Sequence, residues 1–148
     1  MNNKKYTITI KGKQSFDGES FHSVLSLPCS YDKAASGCFY ARYREAAGET
    51  GQAPVQTTLK AAADRISIHR SGGRSSHMIF ENGKNYSCHY DTGMGTLFLD
   101  ISTQFLSASF GETGGSACLH YLLLCDGRLL SEHEVSITIK EDVELCQN

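Results

Sequence analysis

The feature that most constrains this chain is a period-two alternation of apolar and polar residues, interrupted repeatedly by dipeptides that tolerate positive φ. In Tyr6-Thr7-Ile8-Thr9-Ile10 the apolar side chains point one way, while Lys5, Thr7, Thr9, Lys11 and Lys13 point the other. That is the pattern of a strand with one packed and one solvated face. Near the other terminus, Val135, Ile137 and Ile139 share a face opposite Glu132, Glu134, Ser136, Thr138 and Lys140. The interruptions are Asp17-Gly18, Gly72-Gly73, Asn82-Gly83, Gly93-Met94-Gly95, Gly114-Gly115 and Asp126-Gly127. Such residues accept the left-handed backbone that matches a hairpin turn to strand twist, so each predicts an antiparallel pairing of its flanks.

Between these breaks, strands are predicted over residues 5–14, 19–27, 37–45, 55–60, 65–70, 74–81, 84–92, 96–103, 104–111, 116–125 and 129–140. Only 46–53 and 61–63 read as loops or a helical turn, so no helical crossover is available to build a parallel sheet. About ten short strands in a meander tend to close on themselves, which removes exposed edges. The expected fold is all-β, a single antiparallel up-and-down β-barrel of about 8–10 strands. It occupies residues 1–148 as one domain, with 1–4 and 141–148 as loose termini.

Composition agrees with a packed β domain: hydrophobic residues are 40%, charged residues 20%, and 14 Gly stand against 2 Pro. The net charge of −2 provides no basic field, so a nucleic-acid partner is not expected. Lys4 and Lys5 lead into an alternating segment rather than the apolar core of a signal peptide, and the apolar run 119–125 is too short to span a bilayer. The expectation is a cytoplasmic protein with no membrane partner. Its six cysteines, Cys29, Cys38, Cys88, Cys118, Cys125 and Cys146, include no Cys-x-x-Cys and are expected as free thiols.

Thr57-Thr58-Leu59-Lys60 and Ile66-Ser67-Ile68-His69-Arg70-Ser71-Gly72 carry a family resemblance. It continues through Met78-Ile79-Phe80-Glu81-Asn82-Gly83-Lys84, Tyr90-Asp91-Thr92-Gly93-Met94-Gly95-Thr96, Leu119-His120-Tyr121-Leu122-Leu123, Asp126-Gly127, Ser131-Glu132 and Ile137-Thr138-Ile139. On these residues the chain resembles the YwiB-like family of small bacterial proteins. The resemblance implies a calycin-type, lipocalin-like barrel and no particular activity; where that family carries Pro and an aromatic in a turn, this chain has Gly93-Met94.

Parity assigns the residues that line the barrel. Arg70 shares a face with Ile66 and Ile68, Glu45 with Phe39, Ala41 and Tyr43, and His133 with Val135, Ile137 and Ile139, while Tyr86, Cys88, Tyr90 and Thr92 form another row. Tyr43, Glu45, Arg70, Tyr86, Tyr90, Thr92, Tyr121 and His133 are therefore the candidate ligand residues. A mouth of this composition suits a small, partly apolar or anionic ligand, because Arg offers fixed, directional donors. Three other readings stay open. Arg70 and Glu45 would plug the barrel as a salt bridge; the barrel would act as a ligand-free scaffold or homodimer, pairing through an outer strand; or His133 or the Cys118/His120 pair would serve an enzyme or metal site. No cofactor is implied. Gly73-Arg74-Ser75-Ser76-His77 lacks the final glycine of a nucleophile elbow, and in Ser131-Glu132-His133 the acid points away from the base.

Overall fold

The alternation becomes ten strands: β1 (Tyr6–Phe16), β2 (Glu19–Lys33), β3 (Phe39–Glu45), β4 (Val55–Ala61), β5 (Arg65–Gly72), β6 (Ser76–Glu81), β7 (Asn85–Asp91), β8 (Thr96–Gly111), β9 (Gly114–Cys125) and β10 (Arg128–Glu141). The computed structural model describes residues 4–45, 54–72, 75–91 and 95–142, and no helix occurs among them. Every strand pairs antiparallel with its sequence neighbours, and β1 also pairs with β10, so the meander closes into a barrel. Asp17 and Asp126 take φ of 49° and 50°, each followed by a positive-φ glycine, as the tight hairpins at these dipeptides require.

Two expectations about strands are corrected. Residues 96–103 and 104–111 form the single strand β8, because the register shifts between Thr103 and Phe105 instead of breaking. That bulge reverses the parity beyond it, which puts both Ile101 and Leu106 in the core. Gly114-Gly115 is not a turn. The chain reverses at Glu112-Thr113, and both glycines lie in β9, where a Cβ on Gly114 would meet Ile139 O at 2.1 Å and one on Gly115 would meet Ser109 O at 2.1 Å. The glycines are there for close backbone approach.

The walls are unequal. Strands β8, β9, β10, β1 and β2 have 11–16 residues, whereas β3–β7 have 6–8. At one end, aromatic rings shut the barrel. Tyr31 lies 5.1 Å from Tyr6 and stacks on Phe39 at 5.4 Å. The Tyr31 hydroxyl donates to Gly111 O at 2.6 Å, and burial pushes its pKa up to about 12. Glu141 pairs with Tyr6, and the Asp142 amide donates to Lys5 O at 2.7 Å, fastening the two ends of the described chain here. At the opposite end β3 and β5 finish, and β4, β6 and β8 begin. The core between the ends is Ile8, Leu59, Ile66, Phe80, Ile101, Ile137 and Ile139, all inward by parity and almost fully buried.

Candidate functional site

Away from the aromatic plug, the inward row changes from apolar to polar. The ladders set Tyr43 opposite Thr57, Thr57 opposite Arg70, Arg70 opposite Ser76, and Ser76 opposite Tyr90. The row exists because Tyr43, Thr57, Arg70 and Ser76 each keep the parity of an apolar neighbour two positions away: Ala41, Leu59, Ile68 and Met78. Of these residues Tyr43 and Arg70 were candidates from the sequence, whereas Thr57 and Ser76 were not; Tyr90 pairs with Ser76 through its backbone, and its side chain lies outside the described residues. The available signal was a hydroxyl residue at a core parity position.

Polar atoms in this row are left unpaired. Thr57 Oγ1, Arg70 Nε and Ser76 Oγ are buried without a hydrogen-bond partner, and Thr103 Oγ1 on β8 is a fourth such atom. Thr57 is 0% exposed, Ser76 6% and Thr103 1%. A buried donor or acceptor without a partner costs about 1–3 kcal/mol, so three on consecutive strands are a concentration that needs a physical reason.

Tyr43 and Tyr121 report the charge at the centre. Burial raises the Tyr43 pKa, the Arg70 cation pulls it back, and Glu45 pushes it up; the Thr57 and Arg70 hydrogens lie near enough to lower it further, short of forming full hydrogen bonds. Burial pushes Tyr121 up to about 12, again against the pull of Arg70. The Arg70 cation therefore acts on both tyrosines. The ion pairs among the described residues are Lys4–Glu141, Lys84–Glu81 and His120–Glu132, and the Arg70–Glu45 plug is not one of them.

His133 lies on β10, opposite Tyr121 of β9. Its ring stacks flat on Tyr121 at 4.7 Å with 1° between planes, and Tyr121 in turn packs on Phe80 at 4.7 Å. His133 Nε2 and Ser131 Oγ are 2.7 Å apart, and burial holds the His133 pKa below its ordinary value. Farther along the same wall Phe16 and Phe21 are 52% and 56% exposed, although Phe16 keeps the inward parity of Ile8 and Ile10 and Phe21 that of Leu25 and Leu27.

The remaining candidates lie elsewhere. Tyr86 is at the opposite end of β7, with its ring under Arg65 at 5.6 Å and its hydroxyl donating to Glu81 Oε1 at 3.1 Å, so it is separated from the Arg70 row by the length of the strand. Thr92 and Cys146 lie outside the described residues. Cys118 and His120 share the outer face as parity required, but His120 Nε2 is engaged with Glu132 Oε1 at 2.6 Å. Among the described residues no group of three or more His, Cys, Asp or Glu side chains is arranged to hold a metal ion. The described cysteines are unbridged. No helix among the described residues is long and apolar enough to cross a membrane.

Residues 8–137 match the model of a family described as "Domain of unknown function (DUF1934)". Among solved structures, the crystal structure of the ywiB protein from Bacillus subtilis is similar, with a TM-score of 0.82 and 21% identity, covering 95% of this chain and 93% of that one. At that identity the likeness concerns the fold. No curated protein matches the chain.

Proposed function

The chain belongs to the DUF1934 family, a domain of unknown function, and from that premise we propose that its barrel binds a small, partly apolar anion in the chamber headed by Arg70. The observation that carries this reading is the run of unpaired buried atoms on Thr57, Arg70 and Ser76, three neighbours across three strands. A carboxylate accepts hydrogen bonds at both oxygens, and Arg is the side chain best matched to it. Tyr43 feels the Arg70 charge, and the exposed Phe16 and Phe21 offer apolar surface for a hydrocarbon tail.

Ordered water would also satisfy these atoms, so the test compares ligands that differ only in charge. A fluorescent medium-chain carboxylate and its methyl ester would be titrated into the protein and into Arg70→Met. The reading expects saturable binding of the acid, at least about tenfold weaker binding of the ester, and a similar loss in the variant. Equal affinity for acid and ester, or no binding of either, would overturn it.

A further inference from the structure

Strand β2 uses its two edges in different halves. Its ladder with β1 runs from Glu19 to Cys29, whereas its ladder with β3 covers only Ser30–Lys33. Beyond Arg42, β3 leaves β2 but stays paired with β4 as far as Glu45–Val55. Pro28 marks the break, since the next hydrogen-bonded step would set it opposite Arg44 and proline has no N–H to donate. Among the described residues, no strand pairs with Glu19–Leu27 on the side away from β1.

The same proline orients the free backbone. Pro28 stands opposite Thr7 in an unshifted ladder, where a residue without an N–H fits only with that nitrogen turned away from β1. Backbone polar groups alternate in direction along a strand, so those of Ser20, His22, Val24 and Ser26 also point to the free side. Natural edges of this kind are blunted by lysine, by proline or by a bulge. Glu19–Leu27 contains no Lys, Arg or Pro, and its ladder with β1 has no register shift. Phe21 on its inner face and Val24 on its outer face are 56% and 69% exposed, so the segment is an unprotected template for one more strand.

We infer that the strand it accepts is β2 of a second copy of this chain, joined antiparallel about a two-fold axis at Ser23. An axis normal to the sheet keeps inner faces together and passes through a residue, and Ser23 is the middle of Glu19–Leu27. This register pairs the whole free edge with itself, and the segment complements itself there. Phe21 falls opposite the second copy's Leu25 on the inner face, while His22 falls opposite Val24 and Ser20 opposite Ser26 on the outer face. No charged residue faces another of its own sign. The backbone groups of Ser20, His22, Val24 and Ser26 in the two copies then form about eight N–H···O bonds. The join fuses two walls of five strands, β8, β9, β10, β1 and β2, into one sheet, and it requires no ligand in the barrel.

Size exclusion with light scattering, run over a concentration series, should show wild type moving from the monomer mass toward twice that value. A monomer at every concentration up to about 1 mM would overturn the pairing. In Ser23→Cys the two new thiols meet at the axis in a non-hydrogen-bonded pair, whose Cα atoms lie about 4.5 Å apart and within disulfide reach. Mild oxidation should therefore give a covalent dimer that peptide mass spectrometry maps to position 23, distinct from any bridge through the native cysteines. Ser20→Cys, about 20 Å from its mate in this register, should gain no bridge at position 20. Val24→Lys puts a charge on the edge and should weaken association at least about tenfold with an unchanged circular dichroism spectrum. A dimeric wild type whose Ser23→Cys form gives no bridge at position 23 would overturn the inference, as would undiminished association in folded Val24→Lys. Should Val24→Lys fail to fold, the bridge at position 23 decides alone.

Discussion

Thr57 and Arg70 stand opposite one another across the β4–β5 ladder, and each ends in a buried polar atom with no partner, Oγ1 on one and Nε on the other. The pair sits where the inward row changes from apolar to polar. Every prediction about ligand binding starts from it.

Thr57→Val replaces an unpaired buried hydroxyl with a methyl group of the same shape. The unliganded protein should gain about 1 kcal/mol in urea denaturation, because the desolvation cost of the hydroxyl disappears, while affinity for the carboxylate probe should fall. A loss of stability above about 1 kcal/mol would mean that the hydroxyl has a partner in solution.

Arg70→Met should move the tyrosines as well as the ligand. The Arg70 cation favours the phenolates of Tyr43 and Tyr121, so removing it raises both pKa values further, Tyr121 beyond its already elevated value of about 12. Alkaline titration followed by tyrosinate absorbance should show two fewer groups ionising before the protein unfolds. An unchanged titration would place Arg70 away from both hydroxyls.

Stability should fall as the solution is acidified below neutrality. Burial holds His133 below its ordinary pKa of 6.5, and burial together with His69 and Arg65 does the same for His77. The unfolded chain therefore binds these protons first, and stability present above pH 6.5 is lost as pH falls through the folded-state values. His133→Phe keeps an aromatic ring against Tyr121 and should flatten part of this slope; an identical slope would remove His133 from the account.

The two kinds of glycine should respond differently to alanine. Gly115→Ala places a methyl group 2.1 Å from Ser109 O and should cost on the order of 3 kcal/mol. Gly127→Ala meets no atom within 4 Å but must hold φ at 77°, which costs about 1–2 kcal/mol. Equal losses in urea denaturation would show that steric approach at Gly115 is relieved by movement of β8.

Much of the site was legible because parity survives along a regular strand. Arg70, Tyr43 and His133 were assigned inward from their neighbours alone, and the Arg70 charge acts on Tyr43 and Tyr121, on which His133 stacks. Thr57 and Ser76 were passed over because a small hydroxyl residue at a core position reads as filler until its missing partner is seen. Tyr86 was grouped with Tyr90 because one strand face places residues in a row without saying how far apart they lie along the barrel.

The sequence by itself determined the strand alternation, the hairpins at Asp17-Gly18 and Asp126-Gly127, and the antiparallel meander, since each follows from interactions within or between adjacent segments. Only the tertiary structure decided that Gly114 and Gly115 are strand residues and that β8 bulges at Gln104. These features depend on which backbone atoms of a third strand come within a few ångströms, and local propensity carries no information about that distance.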